Sequence, residues 1–251
     1  MTLGQLEILN RNVAGYPSTD LDLDQVQAEA RDFYSRQAEL FAKILNESWS
    51  EYTNISHPGF KNDLDLIRQV KELVPQGAKG IDAGCGPLAR EVFFFYEDGY
   101  DMYGIDVVPE NLQTALNYHP VLADRLFLAD LTQPLDFPDN SFDFIISNTV
   151  IQHINLDSLT KVTFPEWARI LKPNGIIQLM FRSGQGTQTI QDIEFQDERS
   201  FYLYQPEEIL EILAQHGLSL IPEENGSLGG IIYVTDVRPM ENCIFCVRKT
   251  A

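Results

Sequence analysis

Residues able to do chemistry cluster first in Lys79-Gly80-Ile81-Asp82-Ala83-Gly84-Cys85-Gly86-Pro87-Leu88-Ala89-Arg90. A short apolar run ends in an acid, two glycines follow one residue apart, and a helix-like segment runs from Ala89 to Tyr96. That order reads as strand, tight turn, helix. Glycines there let the backbone bend sharply and let a ligand approach where a Cβ would collide. The helix start presents unpaired N–H groups to whatever lies in the turn. Gly84, Gly86 and Ala89 fit the dinucleotide spacing G-x-G-x-x-G/A, which seats a pyrophosphate. Asp82, at the mouth of the turn, would repel a pyrophosphate and attract a cationic ligand. The glycine loop alone leaves both ligands open.

A second acid, Asp106, closes the run Met102 to Asp106 and follows Gly86 by 20 residues. This is the spacing at which a βαβ unit sets a carboxylate against a ribose diol. A carboxylate suits a diol because its oxygens accept while both hydroxyls donate. A third acid, Asp130, follows the strand-like Arg125 to Leu128. Beyond the next strand comes Asn148-Thr149-Val150-Ile151-Gln152-His153. In open α/β sheets, ligands sit outside the carboxyl ends of the strands, so these residues face the site. Asn148 is expected to line it and orient a ligand. His153 titrates near neutrality when unperturbed and is a candidate general base or orienting group.

The elements that must position these groups can be read from periodicity. Val26, Ala30, Phe33, Tyr34, Ala38, Phe41, Ile44 and Leu45 recur in steps of three and four, predicting a helix from about Leu23 to Asn46. Asp20, Asp22 and Asp24 favour the positive end of its dipole. A second helix is expected from Asp63 to Val74, ended by Pro75 and Gly77. Pro165 predicts a break near Thr163, with a new helix through Leu171. Ile176 to Phe181 is continuously apolar, as a central parallel strand should be. Ser183 to Ser200 is polar, and Phe201, Tyr202 and Tyr204 after it are expected either to wall a pocket or to pack beneath the loop. A helix from Pro206 to His216 and strands Leu218–Ile221, Ile231–Val234 and Cys243–Val247 complete the chain.

The acid-x-Gly-x-Gly order of Asp82 to Gly86 resembles motif I of the class I S-adenosylmethionine-dependent methyltransferases, although Leu88 stands where that family usually has a third glycine. Leu135-Asp136-Phe137-Pro138-Asp139-Asn140-Ser141-Phe142-Asp143 is similar to the family's turn into strand four, and Leu171-Lys172-Pro173-Asn174-Gly175 to its Leu-Lys-Pro-Gly-Gly turn. Tyr34 to Phe41 looks like its lid segment, with Ser35 in place of the usual Asp. The resemblance implies a Rossmann-like, doubly wound, seven-stranded α/β sheet of order 3-2-1-4-5-7-6, strand seven antiparallel, with an N-terminal helical lid. Residues 1–75 would form the lid segment and 76–251 the S-adenosylmethionine-binding core, with 183–204 inserted over the substrate. It further implies S-adenosyl-L-methionine as cofactor, S-adenosyl-L-homocysteine as product, and a small-molecule acceptor methylated by in-line displacement. Arg36, Asp82, Gly84, Gly86, Asp106, Val107, Asp130, Leu131 and Asn148 would then bind the cofactor. Arg36 would pair its carboxylate and Asp130 would accept from the adenine amine, with the following N–H serving the ring. Tyr34 would line the methyl-donor site and act with His153. No metal site is expected. A nicotinamide-dependent oxidoreductase and a non-catalytic S-adenosylmethionine-binding protein remain as alternatives.

The bulk composition limits partners. With 18 basic and 37 acidic residues the net charge is −19, which opposes binding to nucleic acid or to an anionic membrane surface. Met1 to Asn12 lacks the pattern of a secretory signal, and no run is long enough to span a bilayer. Three cysteines are too few for a disulfide framework. Cys243 and Cys246, three apart on a strand, point to opposite faces and read as buried thiols. A cytoplasmic monomer or homodimer is expected.

Overall fold

The computed structural model describes residues 23–47, 52, 54–223, 229–235 and 240–250. Helix α1 (Leu23–Glu47) follows the predicted stripe, burying Val26, Ala30, Phe33, Ala38 and Ala42. The acids Asp20 and Asp22, expected at its start, lie outside the described residues. After strand β1 (Asn54–Ile55), helix α2 (Asp63–Leu73) opens with a capping box. The Asn62 side chain accepts from the Leu64 N–H, and Asp65 accepts from the Asn62 N–H at 3.3 Å.

Strand β2 (Lys79–Ala83), helix α3 (Arg90–Glu97), strand β3 (Asp101–Asp106), helix α4 (Pro109–Tyr118) and strand β4 (Leu126–Leu128) form two consecutive βαβ units of the core, their strands paired in parallel. β5 (Phe142–Asn148) pairs parallel to β2 on the other side, and β6 (Leu171–Arg182) parallel to β5. The turn read at Asn174-Gly175 lies inside β6, where Asn174 takes φ +64°. The helical break expected at Thr163 takes the form of a π segment, Leu159–Thr163, between helix α5 (Leu156–Ser158) and helix α6 (Phe164–Ile170). Pro165, in the first turn of α6, has no N–H to give to the turn before it.

Helix α7 (Pro206–Gln215) leads to β9 (Leu218–Leu220), β10 (Ile232–Thr235) and β11 (Glu241–Lys249). The sheet order is β1-β10-β11-β6-β5-β2-β3-β4, with β9 also on β11 and β11 antiparallel to β6. β9 and β10 lie end to end along one edge of β11, so the sixth core position is one strand split in two. Pro222 and the Gly229-Gly230 pair, with Gly230 at φ +71°, account for the interruption. β1 adds a strand outside β10, giving this main sheet nine strands among the described residues rather than seven.

Both sheet faces are covered. On one, α6 and α7 bury Trp167, Ile170, Ile209 and Leu213 against Phe181 and Phe245. On the other, α2, α3 and α4 bury Val70, Val92, Phe95 and Ala115 against Met102 and Ile146. Each large side chain so buried contributes about 1.5–3 kcal/mol. Cys243 and Cys246 are free and buried within β11, the Cys246 thiol pushed up to about 12 by burial.

The polar stretch after β6 is a separate antiparallel hairpin, β7 (Gly186–Asp192) and β8 (Asp197–Leu203). Phe195 at its turn packs edge-on against Phe33 and Phe41 of α1, at 5.2 and 5.5 Å between ring centroids. α1 and this hairpin therefore meet above the carboxyl ends of the central strands.

Candidate active site

The loops after β2, β3, β4 and β5 open into one cavity of about 300 Å3, roofed by α1 and bordered by the hairpin. Gly84 and Gly86 take φ +98° and +66°, the left-handed region that glycine enters without strain. A Cβ on Gly84 would lie 2.4 Å from Val150, whereas one on Gly86 would meet nothing within 4 Å and would project into open space. The third left-handed position of the loop falls on Ala89, φ +42°, so the helix expected from Ala89 begins at Arg90. No glycine relieves that position, and its strain is held in place by complete burial.

Asp106 joins this loop to the next. Its Oδ2 accepts from the Gly86 N–H at 2.9 Å, and its Oδ1 from the Val108 N–H at 2.9 Å and the Asn111 amide at 3.2 Å. The Val107 N–H contributes a further bond, so Asp106 ties the glycine loop to the start of α4. Burial raises its pKa despite these bonds. Asp82 is raised further, by burial and then by the nearby charges of Glu91 and Asp106. Arg90 works against that rise, and a cationic ligand bound beside the pair would do so further.

Asp130 differs in its surroundings. Burial alone would raise it, but the Thr132 hydroxyl and N–H, at 2.7 and 2.9 Å, and Arg31 at 2.6 Å hold it below its ordinary value.

Across the cavity, the Tyr34 hydroxyl lies 3.2 Å from His153 Nε2, with the rings edge to face at 5.3 Å. Arg199 donates to the same hydroxyl at 3.5 Å. The Tyr34 hydroxyl has one hydrogen and two lone pairs, so it can accept from Arg199 while giving its own proton to His153 Nε2, the arrangement in which the ring hydrogen sits on Nδ1. His153 is half-buried, and burial, then Arg199, then Arg182 lower its pKa to about 3. The imidazole is neutral at every ordinary pH, so it accepts a proton only from a group that is itself being made strongly acidic.

Asp82, Gly84, Gly86, Asp106, Val107, Asp130, Leu131, Asn148, Tyr34 and His153 all line this cavity. Arg36 does not. It pairs with Asp32 and Asp197 on the outer side of α1, half its side chain in solvent. Arg31, one turn earlier and on the face shared with Tyr34, lines the cavity in its stead. Phe201 packs beside His153 at 5.4 Å, while Tyr202 and Tyr204 stack on each other beneath the hairpin. Two contributors carry no signal in the sequence, and a third, Thr149, is foreseen only as part of the run that faces the site. Arg182 and Arg199 are buried in the wall, and Thr149 is a β-branched residue at φ +56° that its N–H bond to Met180 O at 2.7 Å holds in place.

Residues 81–179 match the family described as "Methyltransferase domain". That match covers the glycine loop and the three acids, and it supports S-adenosylmethionine over a pyrophosphate as the ligand the glycine loop left open. Among curated proteins, phosphoethanolamine N-methyltransferase 2 of Caenorhabditis elegans is 29% identical over 200 residues, 78% of this chain and 45% of that protein. The 2-methyl-6-phytyl-1,4-hydroquinone methyltransferase of Synechocystis is 25% identical over 148 residues, 53% of this chain and 45% of that one. The chain thus spans under half the length of these two relatives. Among solved structures, the 1,6-didemethyltoxoflavin-N1-methyltransferase of Burkholderia thailandensis, crystallised with its substrate and S-adenosylhomocysteine, has a TM-score of 0.63 at 15% identity, covering 94% of this chain and 95% of that one. The cyclase SpnF has a TM-score of 0.65 at 17% identity, covering 95% and 100%. These two likenesses establish the fold.

The site suits that cofactor. Buried acids at β2 and β3 match its positive charge, Gly86 leaves room beside the loop, and Asn148 presents a buried Oδ1 that lacks a hydrogen-bond partner. Among the described residues no helix is long and apolar enough to cross a membrane.

Proposed function

We propose that this protein methylates a small molecule held between the strand ends and the lid, with Tyr34 and His153 taking up the acceptor's proton. The carrying observation is the Tyr34–His153 contact of 3.2 Å in the same cavity as the three acids. When bound, S-adenosylmethionine supplies an electrophilic methyl group on a positively charged sulfur. Asp82 and Asp106 bind and orient it, and Asp130 with the N–H of Leu131 serves its base. α1 and the segment 183–204 act as a lid on the core 76–251, excluding water. Aligning acceptor and donor can supply about 7–11 kcal/mol of barrier lowering. Proton removal accompanies or follows transfer: Tyr34 passes its proton to His153 Nε2 as it accepts one from the acceptor.

The relatives act on different acceptors, a phosphoethanolamine and a hydroquinone by name. A fold shared with a cyclase leaves the chemistry to the site. The net charge of −19 supports a small acceptor over nucleic acid. Free, buried cysteines support a reducing compartment, the cytoplasm, and a monomer or homodimer is the form we expect. Calorimetry with S-adenosylhomocysteine and NADH, then transfer of labelled methyl to amine, phenol and hydroquinone acceptors, tests the reading. Binding of the first with turnover supports it. Binding without turnover across the panel favours a non-catalytic cofactor-binding protein, and binding of NADH alone overturns it.

A further inference from the structure

We infer that Asn111 shares the cofactor's ribose with Asp106: its Nδ2 steadies the carboxylate, which takes one hydroxyl, while its Oδ1 accepts from the other. This rests on the cavity being an S-adenosylmethionine site, to which it adds a residue that selects the sugar.

Asn111 sits in the first turn of α4, just after Pro109, and is 3% exposed. Asparagine is a poor helix former and a costly side chain to bury, because both ends of its amide need partners. One end has its partner. Nδ2 donates to Asp106 Oδ1 at 3.2 Å, and a reversed amide would set oxygen against oxygen, so this contact fixes which end is which. The other end, Oδ1, is buried with no hydrogen-bond partner, on a residue that lines the cavity.

The chain's own donors already crowd Asp106. Besides Asn111, the N–H groups of Gly86, Val107 and Val108 bond to it, against the roughly four lone-pair positions a carboxylate offers. A diol giving both its hydrogens to that carboxylate would overload it, whereas Asn111 Oδ1, on the far side of the same amide, has room for one. Space for a sugar lies beside the same group. Gly86, which donates to Asp106 Oδ2, has nothing within 4 Å of where a Cβ would stand. The other cavity-lining residues with an unpartnered buried amide oxygen, Asn148 and Asn242, belong to β5 and β11 and not to this loop.

The division of labour has a consequence for selectivity. A hydroxyl that donates to a carboxylate makes a stronger bond than one that donates to a neutral amide oxygen. The two hydroxyls of the ribose should therefore be worth different amounts, and the milder of the two losses belongs to the hydroxyl held by Asn111.

The test is calorimetry on the full chain with S-adenosylhomocysteine, its 2′-deoxy and 3′-deoxy analogues, and its inosine analogue, in which a carbonyl replaces the base amine. In the wild type both deoxy analogues should bind more weakly than the parent, and unequally. Asn111→Ala and Asn111→Leu should weaken S-adenosylhomocysteine by about three- to tenfold while changing the more tightly bound deoxy analogue by less than about twofold. The other deoxy analogue and the inosine analogue should lose as much as the parent does. A loss spread evenly over all four ligands would mean that Asn111 acts only through Asp106 or α4, and it overturns the inference. A variant insensitive to the inosine analogue alone would give Asn111 to the base and overturn it equally, as would variants that bind every ligand as the wild type does. Should neither variant fold, the wild-type comparison decides, equal affinity for the two deoxy analogues being the failing result. A protein that binds none of these nucleosides counts against the S-adenosylmethionine site itself, whereas one that binds S-adenosylhomocysteine without the expected pattern fails this inference alone.

Discussion

Arg31 of α1 donates to Asp130, just past β4, across 2.6 Å, so the carboxylate we propose for the cofactor's base also fastens the helix we propose as a lid. Both side chains are partly in solvent, 40% and 26% exposed, and such a bridge is worth about 0–1 kcal/mol. Losing Arg31 therefore costs the fold little and leaves Asp130 freer to accept from a ligand. Losing Asp130 removes a charge-assisted bond to the ligand worth about 1.5–3 kcal/mol. Arg31→Ala is expected to change S-adenosylhomocysteine affinity by less than about threefold, and Asp130→Ala to weaken it about tenfold or more. Equal damage from both in a calorimetric titration would reject the assignment of Asp130.

His153 sets a pH signature of its own. The unfolded chain takes up this proton near pH 6.5, whereas the folded chain resists it until about 3. Between those values the unfolded state binds more protons, so stability is whole above about 6.5 and falls as acid is added through the window. The loss amounts to roughly 4 kcal/mol at its acid end. The raised Asp82 and Asp106 act in the opposite sense, their contribution present at low pH and lost as pH rises through their folded values. Denaturant melts of wild type and His153→Gln, compared as a difference, cancel those acids. A difference curve that stays flat from pH 6.5 to 4 would contradict the neutral imidazole.

Much of this site could be read directly from residue order because it hangs on strand ends. Asp82, Asp106 and Asp130 each close a short apolar run, and parallel strands carry such residues to one edge whatever the loops do. The lid shows the opposite limit. Arg36 follows Tyr34 by two positions, about 200° around a helix, and so points away from the cavity that Tyr34 lines; Arg31, three positions before Tyr34, shares its face. The periodicity contained that distinction, and the family's lid pattern obscured it. Arg182 and Arg199 were not legible, because their burial depends on β8 pairing with β7 and docking on α1, and a polar hairpin carries no alternation to announce it. The split sixth strand was equally hidden, since its two pieces join only through their shared partner β11.

The acids of the cradle predict a proton exchange. Asp82 is held above its ordinary value by burial, Glu91 and Asp106, and a cation bound beside it favours the ionised form. Binding of S-adenosylmethionine should therefore release protons, with affinity rising with pH until Asp82 is ionised in the free protein. Titrations in two buffers of different ionisation enthalpy measure the release, which Asp82→Asn should abolish. A binding enthalpy independent of the buffer in the wild type would refute the coupling.

The two loop glycines should fail differently when replaced. At Gly84 an added methyl meets Val150 Cγ2 at 2.4 Å, and the backbone is left-handed at φ +98°. Overpacking costs about 1–3 kcal/mol and the backbone about 1–2 kcal/mol more, so Gly84→Ala should lower the melting temperature by several degrees. At Gly86 the methyl meets nothing and points into the space assigned to the ligand, so Gly86→Ala pays only the backbone strain while weakening S-adenosylhomocysteine binding. The pair Gly84→Ala with Val150→Ala separates the terms: relieving the clash should recover the packing share of stability, giving a coupling of about 1 kcal/mol or more in the double-mutant cycle. Additive losses would show that Val150 does not press on the glycine loop, and unchanged binding by Gly86→Ala would move the ligand away from it.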